Sequence, residues 1–338
     1  MSKSYLTKEF AKKISDLHLF HYEYSKEFKR IVDSMKLYSA IKSNPENIFL
    51  HTSLFKKYKL KSKISNKENI LFYSSGTSGI QSKIYTDRLT RIDQQRSLYN
   101  LICGELGFNT KNKPAFYVID KPSVVENQKI DARYAAIKGF SSAAKGMNFL
   151  LDENNKINYD NLNKLKSEYN SLVFGFTANT YLYFLKILFE KKIILDNKNI
   201  TLIHGGGWKK LINQGVSNNK LKEVAKYVFP NVNCKNYYGM IEQTGSIYFE
   251  CDFGFLHSNN YANVITRNNN LEKTPFGEEG IIQSISTLPK SYPGHSLLTE
   301  DTGIVYGSDT CKCGREGVYF HLKGRLSKAV IRGCSDVY

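Results

Sequence analysis

Apolar and polar positions divide the chain into three textures. Over residues 1 to about 65, apolar side chains recur at helical spacing among Lys and Glu, as in Phe28, Ile31, Val32, Met35 and Leu37, without a clear strand signal. Such spacing lines one face of a helix, so a helical N-terminal region is predicted. From Asn69 onward, short apolar runs end in Gly/Ser turns: ILFYSSGTSG, PAFYVIDKPS, SLVFGFTAN, NITLIHGGG and NCKNYYGM. Amphipathic stretches such as YLYFLKILFEKK and NNKLKEVAKYVF lie between several of them. Strand-like runs alternating with helical ones predict an α/β architecture with ligand loops at strand ends. After about Gly245 the pattern shifts to EEGIIQSISTL, TGIVYG and GVYFHL, which predicts a smaller β-rich portion.

Composition narrows the function classes. With 41% hydrophobic residues, 23 Tyr and 20 Phe, the 338-residue chain has ample material for packed cores and is not a disordered tail. The net charge is +17, yet only nine of the 48 basic residues are Arg, the side chain suited to bidentate phosphate and base contacts. Scattered lysines do not look like a nucleic-acid face and no nucleic acid partner is expected, while a non-catalytic basic protein that binds nucleic acid stays open as the bland alternative. The densest basic run, KKYKLKSKISNK at 56–67, is read as a solvated connector. No segment reaches the roughly 18 apolar residues of a membrane span. Charges also interrupt the first 20 residues where a signal peptide would be apolar. The expected location is therefore the cytoplasm, where the six cysteines are buried, metal-bound or reactive rather than disulfide-paired.

Three motifs carry chemistry. In LFYSSGTSGIQSK, an apolar run feeds Ser74, Ser75, Gly76, Thr77, Ser78 and Gly79, with Lys83 just beyond. Small residues let backbone N–H groups and hydroxyls approach a polyphosphate, and the lysine adds a cation. It is not a Walker A loop, because Ser82 and not Gly precedes the lysine. A plain hairpin turn would explain the glycines but not the dense hydroxyls. NYYGMIEQTG places Tyr237, Tyr238 and Gly239 just before Glu242: an aromatic face can cover a purine, and a carboxylate can hold Mg²⁺. In LIHGGGWKKL, His204 precedes Gly205, Gly206, Gly207 and Trp208; the glycines imply close backbone approach, and His204 is either a satisfied core residue or part of the site.

In this order the motifs resemble those of the adenylate-forming superfamily of acyl- and aryl-CoA ligases, luciferases and peptide-synthetase adenylation domains, from about residue 70 to the end. The resemblance makes 74–79 a phosphate loop, Gly205, Gly206 and Gly207 a nucleotide-site turn, and YYGMIE the aromatic and magnesium motif. It makes Asp301 in TEDTG the ribose-binding aspartate and Arg325 in KGRLSK part of a hinge. SSGTSG, HGGGWKK, YGMIEQTGS and a terminal IRGC are most similar to the acyl-protein synthetases, long-chain-fatty-acid ligases of bacterial bioluminescence. That branch implies ATP and Mg²⁺, a carboxylic acid substrate, an acyl-AMP intermediate, acyl transfer to a cysteine near the C-terminus, here Cys334, and an acyl reductase partner. An acyl- or aryl-CoA ligase would share every nucleotide motif and stays open. Ile241 stands where most superfamily members carry Thr, so Thr77 or Thr244 is expected to compensate.

The expected organisation is a helical region at 1–65, an adenylate-forming α/β domain at 66–323 with sheets flanked by helices and a β-rich portion from about 246, and a hinge-like tail at 324–338. Ending just past the hinge, the chain is expected to lack the usual C-terminal domain and its catalytic lysine. Separately, Cys251 and His257 in ECDFGFLH and Cys311 and Cys313 in TCKCGR offer three thiolates and an imidazole, a donor set for structural zinc. The phenylacetate-CoA ligase group carries a similar pattern. Zinc and simple packing both remain open, since Cys-x-Cys is tighter than the usual zinc spacing.

Overall fold

The computed structural model describes residues 5–62, 70–74, 80–126, 130–196 and 199–326. The chain divides into two compact units, one made of residues 1–94 and 240–338 and the other of residues 95–239. Both mix helices with sheets, as the alternating pattern predicts.

In the first unit, helix α1 (Lys8–Tyr24) starts at Thr7, whose hydroxyl accepts from Phe10 N, a cap worth about 1 kcal/mol. Ser25 ends α1 by donating its N–H to His21 O and caps helix α2 (Lys26–Ser34) by accepting from Phe28 N, so one residue turns the chain. Helix α1 buries Phe10, Ile14, His18 and His21, one stripe at i, i+4 and i+3 spacing. The short strand β1 (Leu50–His51) follows, then the antiparallel hairpin of β2 (Ile70–Tyr73) and β3 (Lys83–Thr86), with Tyr73 opposite Lys83.

The parallel strands β4 (Ala115–Ile119), β5 (Lys145–Phe149), β6 (Asn170–Phe176), β7 (Asn199–Gly205) and β8 (Val232–Gly239) form the sheet of the second unit in the order β5-β4-β6-β7-β8. The chain runs from β4 outward to β5, then returns to the other side of β4 to lay down β6. The carboxyl ends of β4 and β6 therefore flank a topological switch point, where open α/β sheets bind ligands. All five residues of β4 are buried, as expected of a parallel strand covered on both faces. Leu162 and Leu165 from helix Tyr159–Ser167, and Leu221, Val224 and Val228 from helix Asn218–Val228, pack with Val173 and Leu202 in one core.

The first unit resumes with β9 (Ile247–Phe249), β10 (Leu256–His257), β11 (Ala262–Arg267), β12 (Glu279–Ser286), β13 (Ser296–Ser308) and β14 (Val318–Arg325). Its main sheet has the order β10-β14-β13-β12-β11, and β1 pairs in parallel with β13 at Leu50↔Leu297 and His51↔Leu298. Leu6, Phe10 and Ile14 pack on Ile265 of β11 and Ile285 of β12. Buried Arg267 donates to Gln283 Oε1 at 2.5 Å and to Glu46 O at 2.6 Å, tying the N-terminal segment to this sheet. Among the described residues, no helix is long and apolar enough to cross a membrane.

Candidate functional site

In the first unit, the serine-rich loop springs from the β2–β3 hairpin. Its mouth is closed by Ser74 N donating to Ser82 O at 3.2 Å and Ser82 N donating to Ser74 Oγ at 2.9 Å, while Gln81 Nε2 reaches Ser74 O at 2.5 Å. Ser75, Gly76, Thr77, Ser78 and Gly79 lie outside the described residues. Lys83 is exposed at the start of β3. Glu242 sits in a single helical turn, Ile241–Gln243, and is buried. The Ser82 hydroxyl faces its carboxyl without reaching full hydrogen-bond geometry. Burial pushes the Glu242 carboxyl above its usual range, partly offset by Ser82 and by Lys56, with Glu300 adding to the rise. Two motifs far apart in sequence thus meet: the mouth of the serine-rich loop and the carboxyl of Glu242. A buried carboxylate short of positive charge suits a bound cation. Thr244 donates its hydroxyl to Ile241 O at 2.9 Å, so only its oxygen lone pairs remain available.

The turn carrying Glu242 is clamped by its neighbour. Buried Gln243 donates to Gly294 O at 2.8 Å and to Ser284 O at 3.0 Å, and accepts from Ser284 Oγ at 2.6 Å. A Cβ on Gly294 would stand 2.8 Å from Glu242 O, so glycine is what lets the two backbones touch. None of these partners is evident from the sequence, because Ser284 and Gly294 lie on other segments and carry no motif. On the same unit, Asp301 of β13 stands opposite Arg325 of β14, and Arg325 Nε reaches Asp301 Oδ1 at 3.2 Å. Cys334 lies outside the described residues.

In the second unit, the predicted turn comes directly after β7. Gly206 and Gly207 have positive φ, and Gly205 is held against Tyr237, whose ring would be 2.5 Å from an added Cβ. Tyr237 and Tyr238 are both buried near the end of β8, Tyr237 packing edge-on against Phe140 at 5.1 Å, and Gly239 is exposed. His204 is a core histidine: it is buried, Nδ1 lies 3.1 Å from Thr177 Oγ1, and burial lowers its pKa to about 3, so it is neutral. At the switch point, Asp120 after β4 is fully buried and pairs in fork fashion with Arg133, whose guanidinium lies over the Phe176 ring at 5.9 Å. The sequence holds a faint signal for this pair, an apolar strand ending in Asp and one of nine arginines soon after.

The cysteine and histidine motifs of the first unit converge. One ligand atom from each of Cys251, His257, Cys311 and Cys313 lies within 4.8 Å of every other, and all but Cys313 are buried. Each cysteine pair member sits at a tight turn: Gly254 N donates to Cys251 O at 2.9 Å and Gly314 N to Cys311 O at 3.0 Å. The Cys313 amide donates to Cys311 and the Arg315 amide to Cys313, although burial opposes ionisation of both thiols. The net effect raises Cys311 and lowers Cys313. His257 is held neutral by burial, at about 4, and Nε2 lies 3.4 Å from Cys313 Sγ. A tetrahedral ion bound at about 2.3 Å by sulfur and 2.0 Å by nitrogen would set these donors roughly 3.5–4 Å apart. The donor set and spacing fit zinc.

The model of the family "Acyl-protein synthetase, LuxE" matches residues 1–338. The chain belongs to this family. No curated protein matches this acyl-protein synthetase family member in sequence. Its fold is that of adenylate-forming enzymes. A 2-hydroxyisobutyryl-CoA ligase, solved in an open conformation with 2-HIB-AMP and CoA, superposes with TM-score 0.71 at 12% identity, over 95% of this chain and 75% of that one. A luciferase-like enzyme of the mealworm Zophobas morio gives TM-score 0.52 at 14% identity, over 79% and 60%. ATP-bound MatB from Rhodopseudomonas palustris gives 0.51 at 13% identity, over 75% and 47%.

Proposed function

We propose that this chain uses MgATP to activate a carboxylic acid, a long-chain fatty acid foremost, as its acyl-AMP and then passes the acyl group to the thiol of Cys334. Membership of the acyl-protein synthetase family supports acid activation. The observation that carries the reading is the buried Glu242 carboxyl facing Ser82 at the mouth of the serine-rich loop. In the first step a substrate carboxylate oxygen attacks the α-phosphorus and pyrophosphate leaves. The loop 74–79 and Lys83 would hold the polyphosphate, and Glu242 would hold Mg²⁺, which when bound neutralises phosphate charge. Catalysis is then mainly positioning and electrostatics. Asp301 would accept from the ribose hydroxyls, with Arg325 beside it. Tyr238, Gly239 and the Gly205, Gly206 and Gly207 turn are assigned to the base. Cys251, His257, Cys311 and Cys313 would hold a structural zinc.

In the second step the Cys334 thiolate attacks the acyl carbon and AMP leaves, giving a thioester that an acyl reductase partner would consume. Arg332, two positions before Cys334 in the sequence, is a cation that would favour the thiolate. The test has two arms. Acid-dependent ATP–pyrophosphate exchange across fatty, aryl and amino acids identifies the acid. Cys334→Ser should keep that exchange and lose hydroxylamine-sensitive labelling by radioactive fatty acid. A Cys334→Ser protein acylated at full stoichiometry, or acyl-CoA formed whenever CoA is supplied, would replace the protein-thiol step with another acceptor.

A further inference from the structure

Three histidines of the first unit are buried together: His18 and His21 on α1 and His295 just before β13. Their hydrogen bonds fix each tautomer. His18 Nε2 lies 2.8 Å from Pro45 O and His21 Nε2 lies 3.2 Å from Pro289 O; a carbonyl only accepts, so both nitrogens carry the proton. His18 Nδ1 is then a bare acceptor and takes its hydrogen bond from His295 Nε2 at 2.6 Å. His21 Nδ1 accepts from Ser62 Oγ at 2.7 Å. That leaves His295 Nδ1 bare, buried and without a partner among the described residues. The His21 and His295 rings stack at 4.6 Å, and Phe28 of α2 packs on all three.

His18 can keep its bond from His295 only while its own ring is neutral, and a proton on His295 Nδ1 would find no acceptor among the described residues. What acts on the three rings is one another, the carbonyls of Pro45 and Pro289, the Ser62 hydroxyl and the apolar Phe28. Among the described residues, no Asp, Glu, Lys or Arg contributes to the electrostatics of any of the three. A proton on any ring would meet buried imidazoles and no counter-charge.

The cluster also leads to the site. His295 comes directly after Gly294, whose carbonyl accepts from Gln243 and whose backbone touches Glu242 O. His295 O in turn accepts from Ser286 N at 2.7 Å. We infer that His295 is a positioning residue for the Glu242 turn, and that it works through a latch of neutral imidazoles by which α1 holds the 289–296 segment in place. The catalytic half of this rests on the role proposed for Glu242; the latch itself does not.

Linkage sets the sign of the pH dependence. Burial holds His18 at about 4, His21 at about 3 and His295 well below its ordinary value, whereas released histidines titrate near 6.5. The latch is at full strength above pH 6.5 and weakens as pH falls towards those values. Each histidine multiplies the opening constant of α1 by about tenfold per pH unit, so three give up to roughly a thousandfold.

The experiment compares the full-length protein with His295→Gln and His295→Leu. Gln keeps an N–H for His18 Nδ1 and does not titrate; Leu keeps bulk without the donor. Hydrogen-exchange protection of α1 is measured from pH 7.5 to 5, corrected for intrinsic rate and referred to helix Tyr159–Ser167. Pyrophosphate exchange is monitored on the same samples. The wild type should lose α1 protection steeply below pH 6.5, His295→Gln about tenfold less steeply per pH unit, and His295→Leu already at pH 7.5 with loss of exchange. Wild-type α1 protection that tracks the reference helix across the range overturns the latch. Loss of α1 protection in His295→Leu with undiminished pyrophosphate exchange overturns the positioning role. If α1 behaves as expected but the wild type shows no acid-dependent exchange, the latch stands and the adenylation reading fails.

Discussion

The proposed chemistry turns on Glu242, and the surroundings of this residue define its test. Glu242→Gln keeps the shape and the clamp made by Gln243 but removes the charge. Loss of one preorganised electrostatic group costs about 10²–10³ in rate, so exchange should fall by at least about a hundredfold while the melting temperature holds or rises. A rise is reasonable because a buried carboxyl is replaced by a neutral amide. Near-normal exchange would remove Glu242 from the mechanism. The sequence makes this residue legible through the YYGMIE spacing. It hides the clamp on the Glu242 turn, because the contacts of Gln243 with Ser284 and Gly294 cross 41 and 51 positions. His204 shows the reverse case: its place beside three glycines suggests a site residue, and only the structure reveals the Thr177 contact that makes it part of the core.

Among the elements, the turn at Cys311 has the form of a ligand holder before any ion is considered, since the Cys313 and Arg315 amides already point at the sulfurs of Cys311 and Cys313. Protein purified without added metal should carry about one zinc per chain, and chelation should lower the melting temperature. A loss of about 2 kcal/mol corresponds to roughly 4–8 °C for a cooperative unit of about 200 residues, the size of the first unit. Metal-free protein with an unchanged melting temperature would make the four residues packing groups. Here the residue types were legible, and the convergence of segments 54 positions apart, His257 and Cys311, was not. Helical spacing finds part of the face of the N-terminal helices, where Phe28 and Val32 are buried, whereas Met35 lies past the end of α2 and is exposed. It gives no hint of His18 and His21, because a histidine stripe on a helix looks polar until Pro45, Pro289 and His295 are brought against it. The strand β1 escapes detection for a simpler reason: two residues are too few to show a period.

At the scale of the whole molecule, linear texture separates residues 1–65 from the rest of the chain, whereas the compact unit joins the two ends. Periodicity reports which face of an element is apolar and not which element covers it, so a discontinuous unit cannot be seen in it. A unit closed by both termini has an order of synthesis imposed on it. Residues 95–239 emerge whole from the ribosome and can fold at once, as units of local contacts do. Helix α1 emerges earlier, yet the strands it needs, β11 and β12, and the partner of β1, β13, are translated last. During most of translation Phe10, Ile14 and the histidine stripe therefore have nothing to cover them and are open to chaperones. Nascent chains arrested once residue 239 has emerged should show a protease-resistant 95–239 region and a digested N-terminal segment, which becomes resistant only in the released full-length protein. Resistance of residues 5–62 in the arrested chain would mean that they fold without their sheet.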